Sequence, residues 1–120
     1  MQLTQHFKLD EFKCKCGCDK HKKHLKDLTQ LAEALEKLRE KLDNTPIYIM
    51  SGFRCPAHNT KCGGAKKSQH MLGKAADIQV KGWVAEDIGD IAVDIFGDTG
   101  LYKSWVHVDI RRGYAFWDKT

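Results

Sequence analysis

The chain has no apolar run long enough to cross a bilayer. Its longest stretches, such as Ile47 to Met50, fall far short of the roughly 20 residues a membrane helix needs. No secretory leader is expected either: Gln, Thr, His, Lys and Asp crowd the residues after Met1 and offer no apolar h-region. The expectation is cytoplasmic synthesis without Sec export. Only two prolines occur, Pro46 and Pro56, and no internal repeat, low-complexity linker or Pro/Ser-rich boundary divides the 120 residues. One domain, residues 1–120, is therefore expected, large enough to bury a core without staples. Cysteine is present but in an odd number: Cys14, Cys16, Cys18, Cys55 and Cys62 cannot pair completely within one chain. Without an export signal, free or metal-bound thiols are expected rather than a disulfide framework.

What is present fits a globular protein, with 42% hydrophobic and 30% charged residues. Apolar segments recur from Leu25 to Trp117, which excludes disorder over most of the length. The charge is uneven. Residues 1–26 hold seven Lys and three acids, whereas the other 94 hold 13 bases and 13 acids, so the whole net charge of +4 sits at the N-terminal end. Such a patch is either a solvated lysine-rich surface or a site for a polyanion, a nucleic acid or an anionic cell wall.

Residues 1–24 read as a Lys/Cys-rich polar arm that Phe7, Leu9 and Phe12 pin to the core. In residues 25–43, Leu28, Leu31, Leu35, Leu38 and Leu42 are spaced 3, 4, 3, 4, one stripe of a core-facing helix that Asn44-Thr-Pro46 ends. Ile47–Met50 reads as a buried strand, residues 51–74 as loop with a short helix from Pro56, and Ala76, Ile78 and Val80 as one face of a second strand. Residues 84–96 read as a helix stopped by Gly97. Leu101-Tyr102 form a short strand, Trp105–Ile110 alternate cleanly, and Arg112-Gly113 turns into a closing strand, Tyr114–Trp117. The fold class expected is α+β, with packed helices and a small, mainly antiparallel sheet.

Alternation along a strand separates the chemistry from the core. Val106, Val108 and Ile110 share one face while Trp105, His107 and Asp109 share the other, and Asp77 points away from Ala76, Ile78 and Val80. His70 precedes that strand in a glycine-bearing loop. Two imidazoles and a carboxylate make a three-ligand zinc set that leaves a fourth position for water. A lone strand histidine is more often structural, so spacing alone does not decide.

The segment SQHMLGKAAD, residues 68–77, resembles the S-x-H-x-x-G-x-A-x-D signature of the zinc D-Ala-D-Ala carboxypeptidases. That family includes phage L-alanyl-D-glutamate endopeptidases and shares the hedgehog/DD-peptidase fold. Five positions match: Ser68, His70, Gly73, Ala75 and Asp77. SGFRCPAHN, residues 51–59, resembles the Ser-Gly-Tyr-Arg stretch before the signature, and WVHVD, residues 105–109, resembles the strand carrying the last ligand. The resemblance implies that His70, Asp77 and His107 bind one catalytic zinc and that Arg54 binds an oxygen of a peptide substrate. Ser68 braces the ligand loop or touches substrate, and Trp105 walls the cleft or packs in the core. His58 and Asn59 hold the loop, and Gly63, Gly64 and Gly73 serve tight turns.

The chain departs from the family where the catalytic base belongs. Some branches carry a carboxylate three residues before the last histidine, here Ser104; others carry a histidine two before it, here Trp105. Asp109 remains, about 6–7 Å along the strand from His107, and resembles a His-x-Asp branch with phage-encoded members. It is expected to be the base, or else an acceptor that orients a ligand. Cys14, Cys16 and Cys18, with His21 and His24 nearby and Cys55 or Cys62 as a fourth ligand, suggest a second, structural zinc; the alternatives are free thiols or a Cys55–Cys62 disulfide.

The function this implies is zinc-dependent hydrolysis of amide bonds in peptidoglycan stem peptides, as a D,D-carboxypeptidase or an L-alanyl-D-glutamate-type endopeptidase. Such an enzyme without a leader reaches the wall after phage or prophage lysis, as an endolysin, or as a virion component. The alternative is a catalytically inactive zinc-bearing wall-docking or virion module of the same fold. A nucleic-acid binder using the lysine-rich arm is the weakest reading, since no recognition motif accompanies the charge.

Overall fold

A computed structural model describes residues 1–120. Its α+β architecture consists of α1 (Leu25–Lys41), β1 (Ile47–Ser51), α2 (Pro56–Lys61), β2 (Ala75–Val80), α3 (Ala85–Ala92), β3 (Asp98–Leu101), β4 (Val106–Asp109) and β5 (Phe116–Asp118). Two expectations are corrected: β3 begins at Asp98 and leaves Tyr102 outside, and α3 ends at Ala92, short of Gly97. The leucine stripe of α1 is wholly buried from Leu28 to Leu42, each side chain contributing roughly 1.5–3 kcal/mol of apolar burial. The helix stops ahead of Pro46 because Asp43 and Asn44 take left-handed backbone angles, φ 57° and 58°, a conformation Asn and Asp tolerate better than most residues. No helix is long and apolar enough to cross a membrane.

The five strands lie in the order β1-β2-β4-β3-β5. Every neighbouring pair is antiparallel except β3 and β5, which run parallel. The expected hairpin after β4 is therefore corrected. Both edges of β4 are already taken, by β2 and β3, so the chain beyond Arg112-Gly113 crosses to the open edge of β3 instead. The closing strand is also shorter than expected, because Tyr114 stands outside it, 95% exposed.

One transverse row of this sheet positions the site. Register places Ser51 opposite Asp77, Asp77 opposite His107, His107 opposite Gly100, and Gly100 opposite Trp117. The adjacent row, Ile49, Ile78, Val106 and Leu101, is buried in the core. A bulge in β1 between Ile49 and Ser51 shifts the pairing so that Ser51, not Met50, meets Asp77, a common use of bulges beside functional sites.

The N-terminal arm is folded onto the body rather than loose. It holds two short 3-10 turns, Leu9–Phe12 and Lys20–His24. Phe7, Leu9 and Phe12 are buried as expected, and the Phe12 carbonyl accepts the Phe53 N–H at 2.8 Å.

Candidate metal centre

His70, Asp77 and His107 meet although they lie on three different segments. His70 sits in the 3-10 turn Gln69–Leu72, which Ser68 caps by accepting the His70 backbone N–H at 3.2 Å. Gly73 closes that turn with φ 71°, and a Cβ there would lie 2.9 Å from the His24 Cβ, so both backbone angle and space require glycine. Asp77 and His107 are direct cross-strand partners on β2 and β4.

The three side chains point one donor atom each at a common space. Asp77 Oδ1 lies 3.2 Å from His70 Nε2 and 3.0 Å from His107 Nδ1. The other ring nitrogens are engaged behind. His70 Nδ1 is 2.7 Å from the Gly52 carbonyl, which can only accept, so Nδ1 carries the proton and Nε2 is left for a ligand. His107 Nε2 is 2.9 Å from Asp109 Oδ2. A tetrahedral ion with bonds near 2.1 Å sets its ligand atoms about 3.4 Å apart. Two imidazoles and a carboxylate so spaced, each imidazole backed by an acceptor, fit zinc.

Electrostatics follow from the crowding. Burial works to raise the Asp77 pKa, but hydrogen bonds with His107 and His70, together with their charge, outweigh it and hold the carboxyl well below the usual range. Burial works to lower the His107 pKa, and its hydrogen bonds with Asp109 and Asp77 overcome that, so the imidazolium is favoured above its ordinary 6.5. Arg54 Nη2 donates to Asp77 Oδ2 at 3.0 Å and Arg54 Nε to Ser51 Oγ at 3.1 Å. Two of its five N–H groups are thereby used and three remain.

A cleft of about 440 Å³ opens over this centre, and Arg54, Ser68 and Trp105 are among the residues that line it. Asp109 does not line it. Its side chain is fully buried, on the opposite ring edge of His107 from Asp77, with Arg111 Nε 3.2 Å from its second oxygen. Asp77 is the single carboxylate in the lining, against the cations Arg54, Lys67, Arg111 and Lys119. Asn59 is buried and bonds the Ala65 carbonyl at 2.9 Å, holding the loop, while His58 Nε2 lies 3.4 Å from Cys62 Sγ.

Three cleft features escaped the sequence reading. Trp117 lies against His107, ring centroids 5.3 Å apart, and donates its indole N–H to Tyr102 Oη at 3.1 Å. Tyr102 in turn stacks on Trp105 at 4.7 Å. Gly100 makes room, since a Cβ there would come within 2.2 Å of the Trp117 ring. A glycine inside a strand pattern is the one local signal of such close approach.

Residues 5–109 match the peptidase M15 family. A stretch of 44 residues is 41% identical to the zinc D-Ala-D-Ala carboxypeptidase of Streptomyces albus G, covering 37% of this chain and 17% of that protein. The family match takes in both the loop that carries His70 and the strands that carry Asp77 and His107, and the chain belongs to the peptidase M15 family.

Proposed function

We propose that the protein is a zinc metallopeptidase that hydrolyses an amide bond next to a D-amino acid in peptidoglycan stem peptides. The observation that carries this reading is the convergence of His70 Nε2, Asp77 Oδ1 and His107 Nδ1 beneath an open, cationic cleft. The zinc ion that these three residues would hold supplies Lewis acidity, toward a carbonyl oxygen and toward water. The name of the Streptomyces relative supports both the metal and the substrate class.

The chain's own residues do the rest. Gly52 O and Asp109 fix the ring tautomers, so that each imidazole presents its lone pair inward. Arg54, held in place by Asp77 and Ser51, offers its spare N–H groups to a substrate carboxylate or carbonyl in two-point contact. Ser68 braces the His70 turn. Trp105, stacked on Tyr102, walls the cleft. The spare N–H groups of Arg54, with Lys67 and Lys119 on the same cleft, favour a peptide that ends in a carboxylate, hence the carboxypeptidase form over the endopeptidase form. Asp109 is a positioning residue in this reading, because its carboxylate is buried against His107 and has no face on the cleft.

One observation favours a second reading. No carboxylate besides Asp77 lines the cleft, so the same site would serve a module that grips the stem peptide without turnover. Zinc-loaded protein incubated with defined muropeptides, followed by mass spectrometry of the fragments, separates the two. Release of a terminal D-amino acid, abolished by a chelator and by His70→Ala, is expected. Binding without cleavage establishes the second reading, and cleavage that survives both treatments sinks the zinc mechanism.

A further inference from the structure

The catalytic reading leaves five cysteines unused, and the fold gathers four of them. The Sγ atoms of Cys14, Cys16, Cys18 and Cys55 all lie within 4.8 Å of one another, in a cluster separate from the histidine centre. Cys16, Cys18 and Cys14 come from one tight turn of the arm, which Gly17 permits with φ 90° and which the Gly17 N–H closes on the Cys14 carbonyl at 3.1 Å. Cys55 comes from the far side of the sequence, at the N-terminus of α2. All five cysteines are free thiols, and the fifth, Cys62, is exposed beside His58 and outside the cluster.

The spacing suits a metal. Tetrahedral zinc with Zn–S bonds near 2.3 Å holds its sulfurs about 3.8 Å apart. Cys14 to Cys55 and Cys16 to Cys55 are each 3.8 Å, and Cys14 to Cys16 is 3.3 Å. Two sulfurs also receive backbone N–H groups: Cys55 N–H points at Cys14 Sγ at 3.5 Å, and His58 N–H at Cys55 Sγ at 3.4 Å. Such bonds favour sulfur as the anion, the form a metal takes, and at Cys55 they prevail, whereas at Cys14 burial outweighs them. His21 and His24 stand outside the thiol group, and His24 instead stacks on Phe53 at 4.9 Å.

We propose that Cys14, Cys16, Cys18 and Cys55 bind a second zinc ion in a closed four-thiolate site whose role is to hold the N-terminal arm against the loop 52–55. Four protein ligands leave no open position, which marks a structural rather than a catalytic ion. The loop it clamps supplies two parts of the cleft: the Gly52 carbonyl bound to His70 Nδ1, and Arg54, whose backbone N–H donates to the His70 carbonyl at 3.1 Å. Phe53 between them is buried with Cys14 and Cys55. A Cβ on Gly52 would lie 2.8 Å from the Phe12 Cα, so arm and loop are in direct contact. The site therefore ties residues 41 positions apart and supports the histidine centre from behind.

Metal content and cobalt spectroscopy test this on the full chain. Protein purified anaerobically with zinc is expected to carry two ions, one of which is lost in the double variant Cys16→Ser, Cys18→Ser. Wild type loaded with cobalt is expected to show thiolate-to-cobalt charge transfer that persists in His70→Ala, His107→Ala. That spectrum needs no cysteine variant to fold, and it reports this site independently of the histidine centre. If the histidine centre takes no metal, one thiolate-dependent zinc remains, which defeats the peptidase reading and leaves this one standing. Absence of thiolate charge transfer in wild type, a disulfide among the four cysteines, or iron in place of zinc overturns the proposal. Hydrogen exchange supplies a further readout: the Phe53 amide, bonded to Phe12 O, is expected to lose protection in the double variant.

Discussion

At the scale of single residues, His107 is the pivot of the proposed centre, because a carboxylate sits on each edge of its ring. Asp77 shares the metal-facing side, and Asp109 holds the ring from behind. Asp109→Asn is therefore expected to weaken zinc binding about 10–100-fold, measured by competition with a chelating dye, while turnover at saturating zinc stays close to wild type. Collapse of turnover with zinc affinity unchanged would instead make Asp109 the base. Strand alternation was enough to put Asp109 on the same face as His107, and the signature was enough to single out His70 and Asp77. The burial of Asp109 against His107 was not legible in that way. A period-2 pattern encodes neither the side-chain contact of 2.9 Å nor the complete burial.

Among the elements, α1 anchors the arm as well as the core. Glu36 on α1 accepts the His6 backbone N–H and faces His6 Nδ1, both at 2.7 Å. Burial works to raise the Glu36 pKa, but the bonds with His6 prevail and lower it from the ordinary 4.5. A carboxylate whose pKa is lower in the folded state stabilises the fold above its unfolded pKa, and that stabilisation fades as pH falls through the folded value. Glu36→Gln is accordingly expected to cost about 0.2–1 kcal/mol at pH 7, the scale of a partly exposed ion pair, and the difference from wild type should shrink steadily below pH 4.5. Urea unfolding at several pH values measures it; a difference that grows as pH falls below 4.5 contradicts the assignment. The helix itself was readable because its periodicity is local. The parallel pairing of β5 with β3 was not, because it depends on which sheet edge remains open after β2 and β3 have flanked β4.

For the whole molecule, the arm is structural. Phe12 is fully buried, packs on Phe7 at 6.1 Å between ring centroids, and backs directly onto Gly52. Phe12→Ala is expected to destabilise the fold by about 3–5 kcal/mol, a large share of a typical domain's stability, read as a lower urea midpoint at unchanged slope; a change below 1 kcal/mol would show the arm to be peripheral. Composition and charge had set the arm apart as a lysine-rich extension, and its three apolar residues had marked the points of attachment. Local pattern along the chain thus carried the fold class, the main helix and the strand faces, since these depend on periodicity, while the resemblance to a family signature singled out the three side chains proposed to hold metal. The row Ser51–Asp77–His107–Gly100–Trp117, the meeting of Cys55 rather than Cys62 with the arm's thiols, and the withdrawal of Asp109 from the cleft came from packing. Each of these joins groups far apart in the chain, and such contacts are selected by strand register and by the volume the core leaves free, quantities that arise once the whole chain has condensed.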